Sequence, residues 1–173
     1  MRTNTPTAEL LFSDADASPM STDPDTITPW EQARAAMEAA VTVWLGTVRP
    51  DGRPHSTPVV TLWLDDVPWF ATRPGSQKGR NLAANPNCTL SVSSSELDLA
   101  LEGTATREHA PDSLRRVLNA FATSLGWQLT LRDGALFDDA LPGSPEYALY
   151  RISPTRALGY GAQGMTATRW RFH

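Results

Sequence analysis

The chain has 173 residues, 40% hydrophobic and 20% charged, with a formal net charge of −4. That length suits one domain with a real core, and the mild acidity argues against a nucleic-acid binder, which needs a basic face. A single cysteine, Cys88, excludes an internal disulfide framework, and no apolar run approaches the ~20 residues that span a bilayer. Leu10-Leu11-Phe12 is too short an apolar core for a signal peptide, so a soluble, cytoplasmic protein is expected.

Met1 to Ile27 is rich in Thr, Ser, Asp and Pro and has little periodic hydrophobicity. Such a segment buries too little apolar surface to offset its ordering entropy. Residues 1–27 are therefore expected to be a disordered tail ahead of one folded domain over 28–173. Thr28-Pro29-Trp30-Glu31 reads as a helix start, with a T-x-x-E capping box and Pro at the first helical position. Trp30, Ala33, Met37 and Val41 follow at helical spacing, which predicts a helix to about Ala40.

From Val41 to Val48 the residues are β-branched and aromatic, as in a strand. Arg49-Pro50-Asp51-Gly52-Arg53 is a tight turn. A second strand is expected from about His55 to Leu64, a turn at Asp65-Asp66, and a third strand over Val67 to Thr72. Successive hairpins make an antiparallel meander. Arg73 to Gln77 is a loop, and Lys78 to Ala84 a short helix stopped by Asn85-Pro86-Asn87. Strands follow over Cys88 to Val92 and Leu97 to Thr106, the latter with alternating leucines.

Pro111 to Leu125 is a second long helix with Leu114, Val117, Leu118, Phe121 and Leu125 on one face. Gly126 to Pro145 is a long, turn-rich connection, and loops of this length are often functional. Tyr147 to Ser153 and Arg156 to Tyr160 read as strands around a Ser153-Pro154 turn, and Thr168 to Phe172 as a last strand. The sum is about seven short strands with two or three peripheral helices, a mainly β fold of barrel type.

Four motifs carry candidate chemistry. Arg73-Pro74-Gly75-Ser76-Gln77-Lys78 places two cations and a hydroxyl at a helix start, where free N–H groups and the helix dipole attract an anion. The same residues also read as a solvated basic turn in which Ser76 caps the helix. Gly159 to Gly164 is a literal G-x-G-x-x-G, but it does not open a helix in a βαβ unit and reads as a turn. His55, His109 and His173 are scattered, and no metal-ligand spacing is present. Arg169-Trp170-Arg171-Phe172 reads either as a lid over a ring system or as a capped edge strand with Trp170 in the core.

The runs Asp51 to Val60 (DGRPHSTPVV) and Thr72 to Pro86 (TRPGSQKGRNLAANP) resemble the pyridoxamine 5′-phosphate oxidase-like flavin-binding split barrels. The T-R-W-R-F ending is similar to that of small actinobacterial flavin/deazaflavin oxidoreductases. The resemblance implies a split β-barrel of about six to eight antiparallel strands that forms a homodimer with its cofactor sites at the interface. It implies that Pro58, Val59, Val60 and Thr61 line the ring. It also implies that Thr72, Arg73, Ser76, Gln77 and Lys78 hold the phosphate, and that Arg169 lies near cofactor or substrate. The implied cofactor is FMN or the deazaflavin F420. Literal vitamin B6 oxidation is not expected, because the C-terminal substrate segment of true pyridoxamine phosphate oxidases has no counterpart here.

On this reading the protein is an oxidoreductase in which the cofactor carries the hydride, and no side chain is assigned a catalytic role. Trp63, Trp69 or Tyr160 would wall the pocket. The alternatives are a non-catalytic binder or sensor of a flavin, F420 or haem on the same barrel, and a β-barrel interaction module. The acidic charge speaks against the last as a binder of single-stranded nucleic acid.

Overall fold

The structure, a computed structural model, describes residues 5–16, 19–161 and 165–173. Three helices accompany the strands: α1 (Trp30–Ala39), α2 (Gln77–Ala84) and α3 (Pro111–Leu125). The strands β2 (Val43–Val48), β3 (Pro54–Val59), β6 (Asn87–Ser93) and β7 (Leu97–Arg107) form an antiparallel run in the order β7-β6-β2-β3. β10 (Glu146–Gly161) joins the free edge of β7 and is the spine of the sheet. Its other edge is shared. β5 (Val67–Thr72) pairs with Ala148–Arg151, and β11 (Ala167–Arg171) pairs with Arg156–Tyr160.

β4 (Thr61–Leu64) pairs with β5, and β3 pairs with β2. The expected single strand from His55 to Leu64 is thus two strands, broken at Val60. The chain steps there from one side of an open seam to the other. Among the described residues β3 and β4 each have one strand partner, so the mainly antiparallel sheet curls as a split barrel without closing.

The two strands expected around Ser153-Pro154 are one long strand. Pro154 has no N–H for the ladder, and the register slips between Pro154 and Arg156, a β-bulge that bends β10 without ending it. The Gly126–Pro145 connection carries a small hairpin, β8 (Thr130–Arg132) and β9 (Ala135–Phe137), turned by Asp133 and Gly134 at positive φ (50° and 81°).

The N-terminal expectation is corrected. Thr7–Leu10 is a strand, β1, paired with β11. Glu9 explains part of this: its carboxylate takes the Nε of both Arg169 and Arg171, at 2.7 and 2.6 Å. Single-turn 3₁₀ helices follow at Asp14–Asp16 and Pro24–Thr26. Residues 1–4 and 17–18 lie outside the described residues, as do Ala162 to Gly164 of the glycine-rich motif.

The capping box at Thr28 does not form. Pro29 is the cap residue, and the Thr28 backbone is taken by β11 instead. Its N–H donates to Thr168 Oγ1 (3.0 Å), and its carbonyl accepts from Trp170 Nε1 (3.1 Å). α1 buries Trp30, Ala33 and Met37, as its spacing predicts, but Val41 lies beyond the helix and is fully exposed. α3 matches its predicted span, from Pro111 to a left-handed Gly126.

Two cores result. Inside the barrel, Met37, Leu45, Phe70, Leu90, Leu101, Ile152 and Trp170 pack together. On the outside of β4 and β5, α3 lays Leu114, Val117, Leu118 and Phe121 against Leu62, Trp69 and Leu149. Trp63 and Trp69 are therefore packing residues, one on each side of the sheet.

Candidate functional site

α2 starts at the end of β5, beside the open seam. Ser76 is its cap: Oγ accepts the Gly79 N–H at 3.1 Å and donates to the Arg73 carbonyl at 2.7 Å. Thr72 Oγ1 lies 3.2 Å from the same Oγ. The helix is pinned to β2 through Asn81, which is fully buried and donates from Nδ2 to Thr47 Oγ1 at 2.9 Å. Gln77 donates to Asn81 Oδ1 at 2.7 Å and accepts from Arg80 at 3.1 Å, so it braces the helix. Arg80 also donates to the Gly75 carbonyl.

A cleft of about 250 Å³ opens here. Pro58, Val59, Val60, Thr72, Arg73, Ser76 and Lys78 of the expected set line it, drawn from β3, the seam, the end of β5 and α2. Three others are not brought in. Thr61 pairs with Phe70 in β4, Gln77 is engaged as described, and Arg169 is held by Glu9. Arg169 pairs with Leu158, ten residues along β10 from Ala148, the partner of Thr72. That is about 30 Å of strand path.

Lys78 is the only lysine in the chain. Burial lowers the pKa of its ammonium, and no acceptor among the described residues partners it. Arg73 has no carboxylate partner among them either, and its guanidinium sits 5.8 Å from the Tyr147 ring centre. Nine other arginines, Arg34, Arg53, Arg107, Arg115, Arg116, Arg132, Arg156, Arg169 and Arg171, make ion pairs, and Arg49, Arg80 and Arg151, which make none among the described residues, do not line this cleft. Two cations without a carboxylate partner and a helix N-terminus facing one small cleft are an arrangement that can take an anion.

Two aromatic lining residues were not expected, nor was the state of Thr57, which precedes the lining residue Pro58. Thr57 shares its strand face with Val59, and its Oγ1 is buried without a partner. Period-two alternation from Val59 is the signal that would have found it. Trp127 and Tyr147 form the aromatic wall, in place of Trp63, Trp69 and Tyr160. Both come from the connection after α3 and the start of β10, and only tertiary packing brings them here. His55 Nδ1 is also buried and unpartnered. Burial, and then the charges of Arg49 and Lys78, hold its pKa below the ordinary value, so its imidazole stays neutral near the cleft.

Two larger depressions, of about 490 and 470 Å³, lie on the outer face of β2, β6 and β7. The first is bordered by Glu102, whose carboxylate is engaged by Arg156, and the second by exposed Trp44 and Tyr160. Neither is lined by an arginine or a lysine among the described residues, unlike the smaller cleft. No group of three or more His, Cys, Asp or Glu among the described residues could hold a metal ion. No described helix is long and apolar enough to cross a membrane.

The family described as "Pyridoxamine 5'-phosphate oxidase" matches residues 29–160. A pyridoxine/pyridoxamine 5′-phosphate oxidase of Bacteroides thetaiotaomicron is 37% identical over 86 residues, 48% of this chain and 40% of that protein. The matched stretch thus spans less than half of that relative. Among solved structures, the General Stress Protein 26 of Bacillus anthracis is similar at TM-score 0.56 and 26% identity, over 82% of this chain and 97% of that one. A pyridoxamine 5′-phosphate oxidase-related, FMN binding protein from Nostoc punctiforme gives 0.58 and 19%, over 84% and 91%. A heme binding protein from Mycobacterium smegmatis gives 0.56 and 20%, over 77% and 54%.

Proposed function

Because the chain belongs to the pyridoxamine 5′-phosphate oxidase family, we propose that it is an oxidoreductase whose cleft grips the phosphate arm of FMN or F420. The observation that carries this reading is the pair of cations without a carboxylate partner among the described residues, Arg73 and Lys78, at the N-terminus of α2. The cations that line the cleft fit a phosphate: the Lys78 ammonium and the Arg73 guanidinium have no carboxylate partner among the described residues, and Thr72 Oγ1 stands beside them, while the Ser76 hydroxyl proton is given to the Arg73 carbonyl. A cleft of about 250 Å³ is smaller than the ~300–1,000 Å³ of full ligand pockets, so it suits the arm and one edge of the ring.

When bound, the cofactor supplies hydride transfer to or from a small organic substrate. The chain's own residues bind and orient. Lys78 and Arg73 neutralise the phosphate charge, Thr72 helps fix its direction, Ser76 holds the loop that carries Arg73, and Pro58, Val59 and Val60 offer an apolar ledge at the seam. The remaining wall is a second copy of this chain. Trp44 (47% exposed) and Tyr160 (38% exposed) stand on the outer face of the sheet and support a dimer built across it. The substrate of the Bacteroides relative is not carried over, since more than half of that protein has no counterpart in the match. A reducing cytoplasm suits the one buried thiol.

The test is titration of purified protein with FMN and with F420, followed by absorption. The double variant Arg73→Ala, Lys78→Ala is expected to weaken binding by well over tenfold, because each charged contact contributes ~1.5–3 kcal/mol. Unchanged affinity would refute the phosphate assignment. Turnover of the reduced cofactor with an enone or quinone separates an enzyme from a binder or sensor.

A further inference from the structure

We propose that Trp127, oriented by Asp138, is a specificity-determining residue of this cleft that selects phosphate esters carrying an electron-poor aromatic ring. The proposal rests on the cleft being a flavin-phosphate site, and it assigns a part of that site outside the residues marked by the sequence.

Trp127 follows the left-handed Gly126 that ends α3, and it lines the cleft with Tyr147. Its orientation is fixed on three sides. The indole N–H donates to Asp138 Oδ2 at 2.9 Å. The ring meets Phe121 at 5.7 Å and 66°, and Tyr147 at 5.3 Å and 87°, both edge-to-face. A flexible wall residue would have none of these constraints.

Asp138 is 5% exposed, and no cation pairs with it among the described residues. Oδ2 takes the indole N–H, and Oδ1 takes the Ala140 N–H at 3.1 Å. A carboxyl buried to orient one indole is costly unless the indole's position matters. Accepting the indole proton also enriches the ring in electrons, which favours contact with an electron-poor partner. Tyr147 is already covered by the Arg73 guanidinium, so Trp127 is the aromatic surface left for a ligand. The phosphate grip and the indole wall then read two parts of one molecule.

The experiment is calorimetric titration of wild type, Trp127→Ala, Trp127→Phe and Asp138→Asn with FMN and, separately, with glycerol 3-phosphate. Trp127→Ala is expected to weaken FMN about tenfold, the order of one lost aromatic contact, and to leave glycerol 3-phosphate unchanged. Trp127→Phe should recover most of the FMN affinity, and Asp138→Asn should fall between. FMN affinity unchanged in Trp127→Ala overturns this inference and leaves the flavin reading standing. Equal losses for both ligands also overturn it, since the wall is then only structural. If Trp127→Ala does not fold, Asp138→Asn decides, and wild-type FMN affinity there overturns the inference. A wild type that binds neither ligand overturns this inference, and the separate F420 titration then decides the reading it rests on.

Discussion

Two glycines four residues apart on either side of the α2 cap, Gly75 and Gly79, differ in kind. A Cβ on Gly79 would lie 2.5 Å from the carbonyl oxygens of both Arg73 and Pro74, whereas one on Gly75 meets nothing within 4 Å. The loop that carries Arg73 folds back onto the helix at Gly79, and only the absence of a side chain allows it. Gly79→Ala is expected to cost about 1–3 kcal/mol in urea unfolding and to weaken FMN with it, by analogy with overpacked cores. Gly75→Ala should do neither; equal effects would undo this account of the loop. Cys88 offers a second test. Burial pushes its thiol up to about 12. Thiolate is the reactive form, so a disulfide reagent at about pH 8 should leave it untouched in the folded protein and label it in denaturant. Prompt labelling of the native state would mean that the β6 region opens readily.

Among the elements, β1 and β11 are joined by one carboxylate shared between two guanidiniums. The hydrogen bonds from Arg171 and then Arg169 hold the Glu9 carboxyl below its ordinary pKa. A depressed carboxylate stabilises the fold above its unfolded pKa, and that contribution disappears as pH falls through the folded pKa. Glu9→Gln should therefore lower stability at neutral pH and match wild type in acid. The groups are largely solvated, so the effect is about 0.2–1 kcal/mol. A stability gap that persists at about pH 2–3, below the carboxylate range, would mean that Glu9 works through packing instead. The seam between β3 and β4 is the other decisive element, because the break at Val60 puts apolar residues across the cleft from Lys78 of α2 and Arg73 of the loop before it.

For the whole molecule, the split barrel leaves the outer face of β2, β6 and β7 uncovered, with Trp44 and Tyr160 projecting from it. If a second copy covers this face, sedimentation should give twice the chain mass. Trp44→Glu with Tyr160→Glu should give the single mass, because two charges cannot be buried in an apolar interface. A wild type that sediments as a single chain at micromolar concentration would remove the dimer, and with it the second wall of the cofactor site.

The local pattern determined α3, the β5 strand, the capped start of α2 and the cation-bearing loop, since each depends on near neighbours: a Pro and a Gly at the helix ends, alternating apolar residues, a Ser before a free N–H. The family resemblance rested on the same contiguous runs. Long-range contact decided the rest. β1 pairs with β11 and Glu9 meets Arg169 and Arg171, across 160 and 162 residues of chain. The register of β11 on β10 also places Arg169 ten residues along β10 from the partner of Thr72, away from the cleft. Thr28 caps nothing because β11 claims its backbone, and Trp127 reaches the cleft because α3, β9 and β10 pack around it. A motif can announce which groups could bind an anion. Which of them remain unpartnered and facing one space is settled only when the chain closes on itself and the competing partners are assigned.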